Sequence, residues 1–299
     1  MNILNLLLIL LTVEGAVSKS VIVEPKAIDN NICSIRIKEN VDTIYNAYLY
    51  KCISLYSILD NVKFNSHIAN LYIIIVGEND TVYASLPEIL YTWNLSEVVY
   101  SLDRTLIVPM AFRDKVQPKK EKCHRIIFQQ DLYPFRIINN PKKIIIKEGL
   151  PRLKSDDKKN MYSHNITIKH KNADWELNDK ILNNLKRVDI ERIIYGYHKG
   201  FHARCVYSGI VIKDIINKLG IKVKQPQKAV IFVKAQDGYT VVFSWYELMN
   251  SKKSSQYIIA DKIDGKPLPK RKGKYRIIAG GDFFADRSIK SVKEIIIKE

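Results

Sequence analysis

The chain carries one ordered series of motifs twice, and this limits its folds more than any other feature. Tyr50 to Leu59 is echoed by Tyr207 to Ile216. Leu71 to Val76 followed by Glu78 to Leu90 is echoed by Val230 to Ala235 followed by Asp237 to Leu248. Phe135-Arg-Ile-Ile138 reads against Tyr275-Arg-Ile-Ile278, and each half closes on Ile-Ile-Ile-Lys-Glu, at Ile144–Glu148 and Ile295–Glu299. Solenoid and propeller units run about 20–50 residues, so a period this long implies a duplicated domain. Function is then expected where the copies differ.

Local patterns give each copy a mixed content dominated by strands. Ile32–Lys38, Leu71–Val76 and Thr81–Tyr83 read as strands, and Cys52–Val62 has helical apolar spacing. In the second copy Ile166–Ile168, Ala229–Lys234 and Thr240–Phe243 read as strands. Asn178–Asn184 is a short helical turn, and Ile210–Leu219 is a helix stopped by Gly220. Ser85 with Glu88 and Ser244 with Glu247 both have capping-box spacing, in which a Ser hydroxyl and a Glu carboxylate satisfy each other's backbone N–H groups. The expected fold class is α+β: two tandem sheet-rich domains, at 19–149 and 164–299, joined by a polar linker at 150–163.

Leu6–Val13 is a short apolar run followed by Ala16-Val-Ser18, which reads as an export signal over 1–18. On that reading the mature protein is periplasmic or secreted; the alternative is a buried first strand or helix. The run is shorter than the roughly 20 residues a spanning helix needs. A net charge of +17 raises nucleic acid as a partner, but the basic residues are scattered and no helix presents a continuous basic face. A solvated Lys-rich surface is the better reading. Four cysteines, Cys33, Cys52, Cys123 and Cys205, include no C-x-x-C pair, which argues against a ribbon-type zinc site. Cys205 is expected to be a free, half-buried thiol.

The second copy resembles the sulfite-oxidase-like molybdopterin-binding fold. The resemblance rests on Val206-Tyr-Ser-Gly209, Ile212–Ile216 with Gly220, Asp237-Gly-Tyr239, Ser244 with Glu247, Ile258–Asp261, Asp264–Leu268, Gly273–Ile277, Gly281-Asp282 and Arg287. It implies that fold and a pterin or molybdopterin cofactor. Enzymes of the family hold molybdenum by a cysteine in a Cys-x-Gly-Asn-Arg type motif. The nearest stretch here, Ile193–Gly200, places Ile194 at the ligand position, and an apolar side chain is no metal ligand. Molybdenum is therefore not expected.

Against that family the loop Ala279–Ile289 stands out, since the first copy offers only Asn139–Lys143 at the same point. Gly280 and Gly281 would admit a ligand to the backbone, Asp282 would accept from a pterin's N–H edge, Phe283 or Phe284 would stack, and Arg287 would donate to a carbonyl or phosphate. The competing reading is a hairpin loop in which Arg287 pairs with Asp282 or Asp286. Tyr197, His198, His202 and Arg204 form a second cluster; His198, His202 and Arg204 share a face if extended. No nucleophile–base pair and no catalytic residue is evident. The expected function is non-catalytic binding of a pterin-like or other small anionic ligand, with the degenerate first domain as scaffold or protein-partner surface. The alternatives are a molybdopterin-dependent oxidoreductase and a structural module with filled pockets.

Overall fold

The computed structural model describes residues 10–25, 32–41, 44–108, 117–151, 162–197 and 199–299. The first half contributes strands β1 (Leu11–Gly15), β2 (Val21–Val23), β3 (Ile32–Val41), β4 (Ile44–Ser54), β5 (Leu71–Val76), β6 (Thr81–Ser85), β7 (Val98–Leu106), β8 (Lys120–Phe128), β9 (Ile138–Asn139) and β10 (Lys143–Glu148). The second contributes β11 (Ile166–His170), β12 (Ala173–Leu177), β13 (Arg187–Gly196), β14 (Gly200–Val211), β15 (Val230–Ala235), β16 (Thr240–Ser244), β17 (Tyr257–Ile263), β18 (Lys266–Pro267), β19 (Arg276–Ala279) and β20 (Val292–Lys298). The helices are short: α1 (Leu55–Leu59), α2 (Pro87–Leu90), α3 (Asp179–Leu182), α4 (Ile212–Lys218) and α5 (Trp245–Met249).

Each half holds two sheets with matching strand orders. One pair runs β2-β1-β10-β5-β6 and β12-β11-β20-β15-β16. The other runs β3-β4-β7-β8-β9 and β13-β14-β17-β18, with β19 also pairing β17. The triple-isoleucine strands occupy the same place: β10 is parallel to β1 and antiparallel to β5, and β20 is parallel to β11 and antiparallel to β15. Alternation in β10 puts Ile144 and Ile146 into the core at 0% exposure while Ile145 faces the other side.

One buried cluster runs through both halves, from Leu11 to Ile297. Beside it, Tyr72 and Tyr83 of the first half pack on Val230, Phe232 and Val242 of the second. The halves thus share a core instead of hanging from a linker. Residues 152–161 of that expected linker lie outside the described residues.

Several sequence expectations need correction. Leu11–Gly15, expected to leave with a signal ending at Ser18, is a sheet strand. Leu11 and Val13 are fully buried, and Thr12 to Gly15 pair with Lys143 to Ile146. A cut after Ser18 would remove that strand. The helical spacing of Cys52–Val62 is real only from Leu55; Cys52 and Ile53 finish β4. Ile210 and Val211 likewise end β14 before α4 begins. That helix closes as expected: Gly220 has φ +66°, and Ile221 N–H donates to the Ile216 carbonyl at 3.2 Å. No helix among the described residues is long and apolar enough to cross a membrane.

Candidate functional site

Where the halves meet, each supplies the same four side chains. Ser244 forms the expected capping box: its hydroxyl accepts from Glu247 N–H at 3.1 Å, and the Glu247 carboxylate accepts from Ser244 N–H at 2.6 Å. In the first half the box is only half formed. Ser85 accepts from Glu88 N–H at 3.2 Å, but the Glu88 carboxylate turns to the other half, where Ser244 donates to it at 2.8 Å. Ser85 in return donates to Glu247 at 2.7 Å. A contact in which i meets j and j meets i is the pattern of a twofold interface.

An arginine closes each side. Arg136 donates to Asp131 (2.8 and 2.5 Å) and Glu88 (3.0 and 2.5 Å), and reaches across to Ser244 at 3.3 Å. Arg287 donates to Asp282 (2.7 and 2.6 Å) and Glu247 (3.0 and 2.9 Å), and reaches across to Ser85 at 2.9 Å and the Val242 carbonyl at 3.1 Å. Both guanidinium groups are buried and lie over aromatic rings, Phe128 at 4.0 Å and Phe243 at 4.4 Å. Burial favours the neutral form of Arg136, yet the carboxylates of Asp131 and Glu88 outweigh it and raise its pKa. Burial also pushes Asp131 up to about 6, against the pull of Arg136, and raises Glu247. A cavity of about 20 Å³ touches Glu88, Asp131, Glu247 and Asp282, room for one water.

This knot corrects the expected ligand contacts. Asp282 is 2% exposed and Arg287 0%, and all five guanidinium N–H groups of Arg287 have protein acceptors. Neither is open to an anionic ligand; the competing hairpin reading, with Arg287 paired to Asp282, is what the fold builds. The glycines serve packing. A Cβ on Gly280 would lie 2.6 Å from the Gln256 carbonyl oxygen, and one on Gly281 would lie 2.6 Å from Tyr257 Oη.

The first half does have this loop. Asp131 and Arg136 stand five residues apart, as do Asp282 and Arg287, and Leu132 N–H donates to Asn250 O (2.7 Å) as Phe283 N–H donates to Tyr91 O (2.6 Å). The structural counterpart of Tyr275-Arg-Ile-Ile278 is therefore His124-Arg-Ile-Ile127. Arg125 donates to Tyr50 Oη at 2.9 Å, and Arg276 to Tyr207 Oη at 3.0 Å. The match to Phe135-Arg-Ile-Ile138 was one of identity without position.

The expected aromatic does face open space. Phe283, Phe284 and Tyr197 of the second half face Tyr56, Asp60 and Trp93 of the first across a cleft of about 330 Å³. Trp93 meets Phe283 at 4.9 Å between ring centroids, and Phe284 meets Tyr197 at 4.8 Å and Tyr91 at 5.2 Å. Trp93 is 53% exposed at the mouth. Asp60 is the carboxylate of the lining; burial and then its hydrogen bond to Asp60 raise the Tyr56 pKa. Among the described residues, no lysine or arginine lines the cleft. Nearby, Asp286 accepts from Tyr197 N–H at 3.1 Å and faces His67 Nε2 at 3.8 Å.

The other expected cluster does not assemble. His198 lies outside the described residues, and His202 is exposed on β14. Arg204 pairs with Glu191 on the open face of the sheet. Neither joins Arg287 in one cleft. Cys205 is a free, half-buried thiol, as expected, packed against the buried cluster of Tyr207, Val211, Ile258, Ala260, Leu268 and Ile278. Sequence reasoning missed Tyr56, Asp60, Trp93 and Arg192. Trp93 was the readable signal, a large aromatic shortly after α2 where the second half has Lys252.

Residues 154–299 match the family model of the oxidoreductase molybdopterin binding domain. The second half therefore has the molybdopterin-binding fold of the sulfite-oxidase type. Among solved structures the chain is similar to the sulfane dehydrogenase SoxCD from Paracoccus pantotrophus, at 13% identity and a TM-score of 0.36, over 64% of this chain and 53% of that one. This chain thus spans about half of that protein's length. No curated protein matches the chain.

Proposed function

We propose that the protein is a non-catalytic binder of a small planar heterocycle of pterin type, held in the aromatic cleft between its halves. The observation that carries this reading is the cleft: about 330 Å³, walled by Trp93, Phe283 and Tyr197, with Asp60 beside Tyr56. Stacked rings favour a flat ligand, and a carboxylate favours one with an amino or ring N–H edge. An anionic ligand is disfavoured, because among the described residues the lining offers no cation and Arg287 is fully occupied. The first half is then no mere scaffold, since it supplies Tyr56, Asp60 and Trp93.

The family match favours a second reading, a molybdopterin-dependent oxidoreductase. The side chains fit that cofactor poorly. Ile194, at the position of the family's cysteine ligand, packs against the same apolar cluster as Cys205 and has no sulfur to offer a metal. Titrating the full-length protein with oxidised and reduced pterins, read by Trp fluorescence, tests the first reading. Saturable quenching is expected, weakened about tenfold or more by Phe283→Ala and by Asp60→Asn. Stoichiometric molybdenum in protein purified from its native host would overturn it in favour of the second.

A further inference from the structure

Arg192 has no counterpart in the first half, and a cavity lies where its counterpart would be. The register fixes the comparison. In the second half Ile190 pairs with Tyr207 and Arg192 with Cys205; in the first half Ile35 pairs with Tyr50 and Ile37 with Tyr48. Tyr50 and Tyr207 mark the same point, since each accepts from the equivalent arginine, Arg125 or Arg276. Two residues further along the strand, Ile37 therefore stands where Arg192 stands.

Arg192 is 2% exposed and donates to the carbonyls of Asp282 and Phe284, the second at 2.8 Å. It props the loop that carries Arg287. In the first half the matching loop carries Asp131, and Ile37 has no donor to offer it. A cavity of about 260 Å³ opens instead, touching both Ile37 and Asp131. Ile127 and Ile137 give it an apolar wall, and two cations border it: exposed Arg36, and Lys252, whose Nζ reaches the Gln129 carbonyl at 3.1 Å.

We propose that this cavity binds a guanidino acid, a small zwitterion with a guanidinium at one end and a carboxylate at the other. The guanidinium takes the role that Arg192 plays in the second half and donates to the Asp131 carbonyl. The aliphatic stem lies along Ile37, Ile127 and Ile137, and the carboxylate meets Arg36 and Lys252. A plain cation is disfavoured by those two charges, and a plain fatty acid leaves the carbonyl unmatched. This site is separate from the aromatic cleft and does not rest on it.

The test is calorimetric or NMR titration of the full-length protein with L-arginine, agmatine and norleucine. Arginine is expected to bind saturably, and agmatine (no carboxylate) and norleucine (no guanidinium) each about tenfold or more weakly. Ile37→Arg installs an internal guanidinium; arginine binding should vanish while the unfolding temperature does not fall. Should that variant fail to fold, Arg36→Glu with Lys252→Glu decides: arginine should weaken and agmatine tighten. No saturable arginine binding, norleucine equal to arginine, undiminished binding by folded Ile37→Arg, or an unchanged preference in the double variant would each overturn the proposal.

Discussion

The two halves agree in what they bury and differ in what they leave open. Ser85, Glu88, Asp131 and Arg136 answer Ser244, Glu247, Asp282 and Arg287 almost bond for bond. Around that knot the halves diverge: Arg192 against Ile37, Phe283 against Leu132, Trp93 against Lys252. A buried ionic knot constrains both copies, because removing one partner strands the others without water. A cavity wall carries no such penalty and is free to change. Ligand specificity is therefore to be sought at the changed positions.

The largest expected effect separates the two arginines. Arg287→Ala leaves Asp282 and Glu247 buried without a counter-charge and should cost about 3–5 kcal/mol. Arg136→Ala should cost less, because the Glu88 side chain keeps 13% exposure and can be rehydrated, against 3% for Glu247. Urea unfolding of both variants checks the order; equal losses would mean the knot is symmetric in energy as well as in bonding.

Next come the loop glycines. Gly281→Ala should lose about 1–3 kcal/mol, because its Cβ would sit 2.6 Å from Tyr257 Oη. Gln130→Ala, at the matching place in the first half, should stay within about 0.5 kcal/mol. Thermal unfolding of the pair tests whether the second loop is the more tightly packed one.

A smaller effect is expected from pH. Asp131 and Glu247 have folded pKa values raised by burial, Asp131 to about 6. Between the unfolded value near 4 and that raised value the folded state holds the extra proton, so stability falls as pH rises through this window. A decline in stability is expected between pH 4 and 7 in urea unfolding. Asp131→Asn should flatten the part owed to the first half, and an unaltered slope would remove Asp131 from the account.

The smallest effects are expected from the cross-half serines. Ser85→Ala and Ser244→Ala should each cost about 1–2 kcal/mol. Combined, they should depart from additivity, because both serines contact both glutamates: Ser85 accepts from Glu88 N–H and donates to Glu247, and Ser244 accepts from Glu247 N–H and donates to Glu88.

Much of this was legible in the residues. The triple-isoleucine strands, the Ser244–Glu247 box and the Gly220 cap all follow from local periodicity and capping chemistry, which act within a few residues. The pairing of Arg136 with Asp131 was not read, because the identical Arg-Ile-Ile in two places drew the alignment to the wrong one. The apolar run Leu6–Val13 suits a leader and a core strand equally, and local pattern did not disclose that Thr12–Gly15 pair with β10.

By itself the sequence determined a mixed, sheet-rich fold and the aromatic pair Phe283–Phe284, since strand alternation is a property of neighbours along the chain. The tertiary structure decided that Arg287 is spent on Glu247 and Ser85, and that Trp93 faces Phe283 from the other half. It also decided that Ile37 borders a cavity where its counterpart Arg192 fills the space. Those outcomes depend on which surfaces two similar halves turn toward each other, and contacts between residues so far apart in the chain leave no local pattern to read.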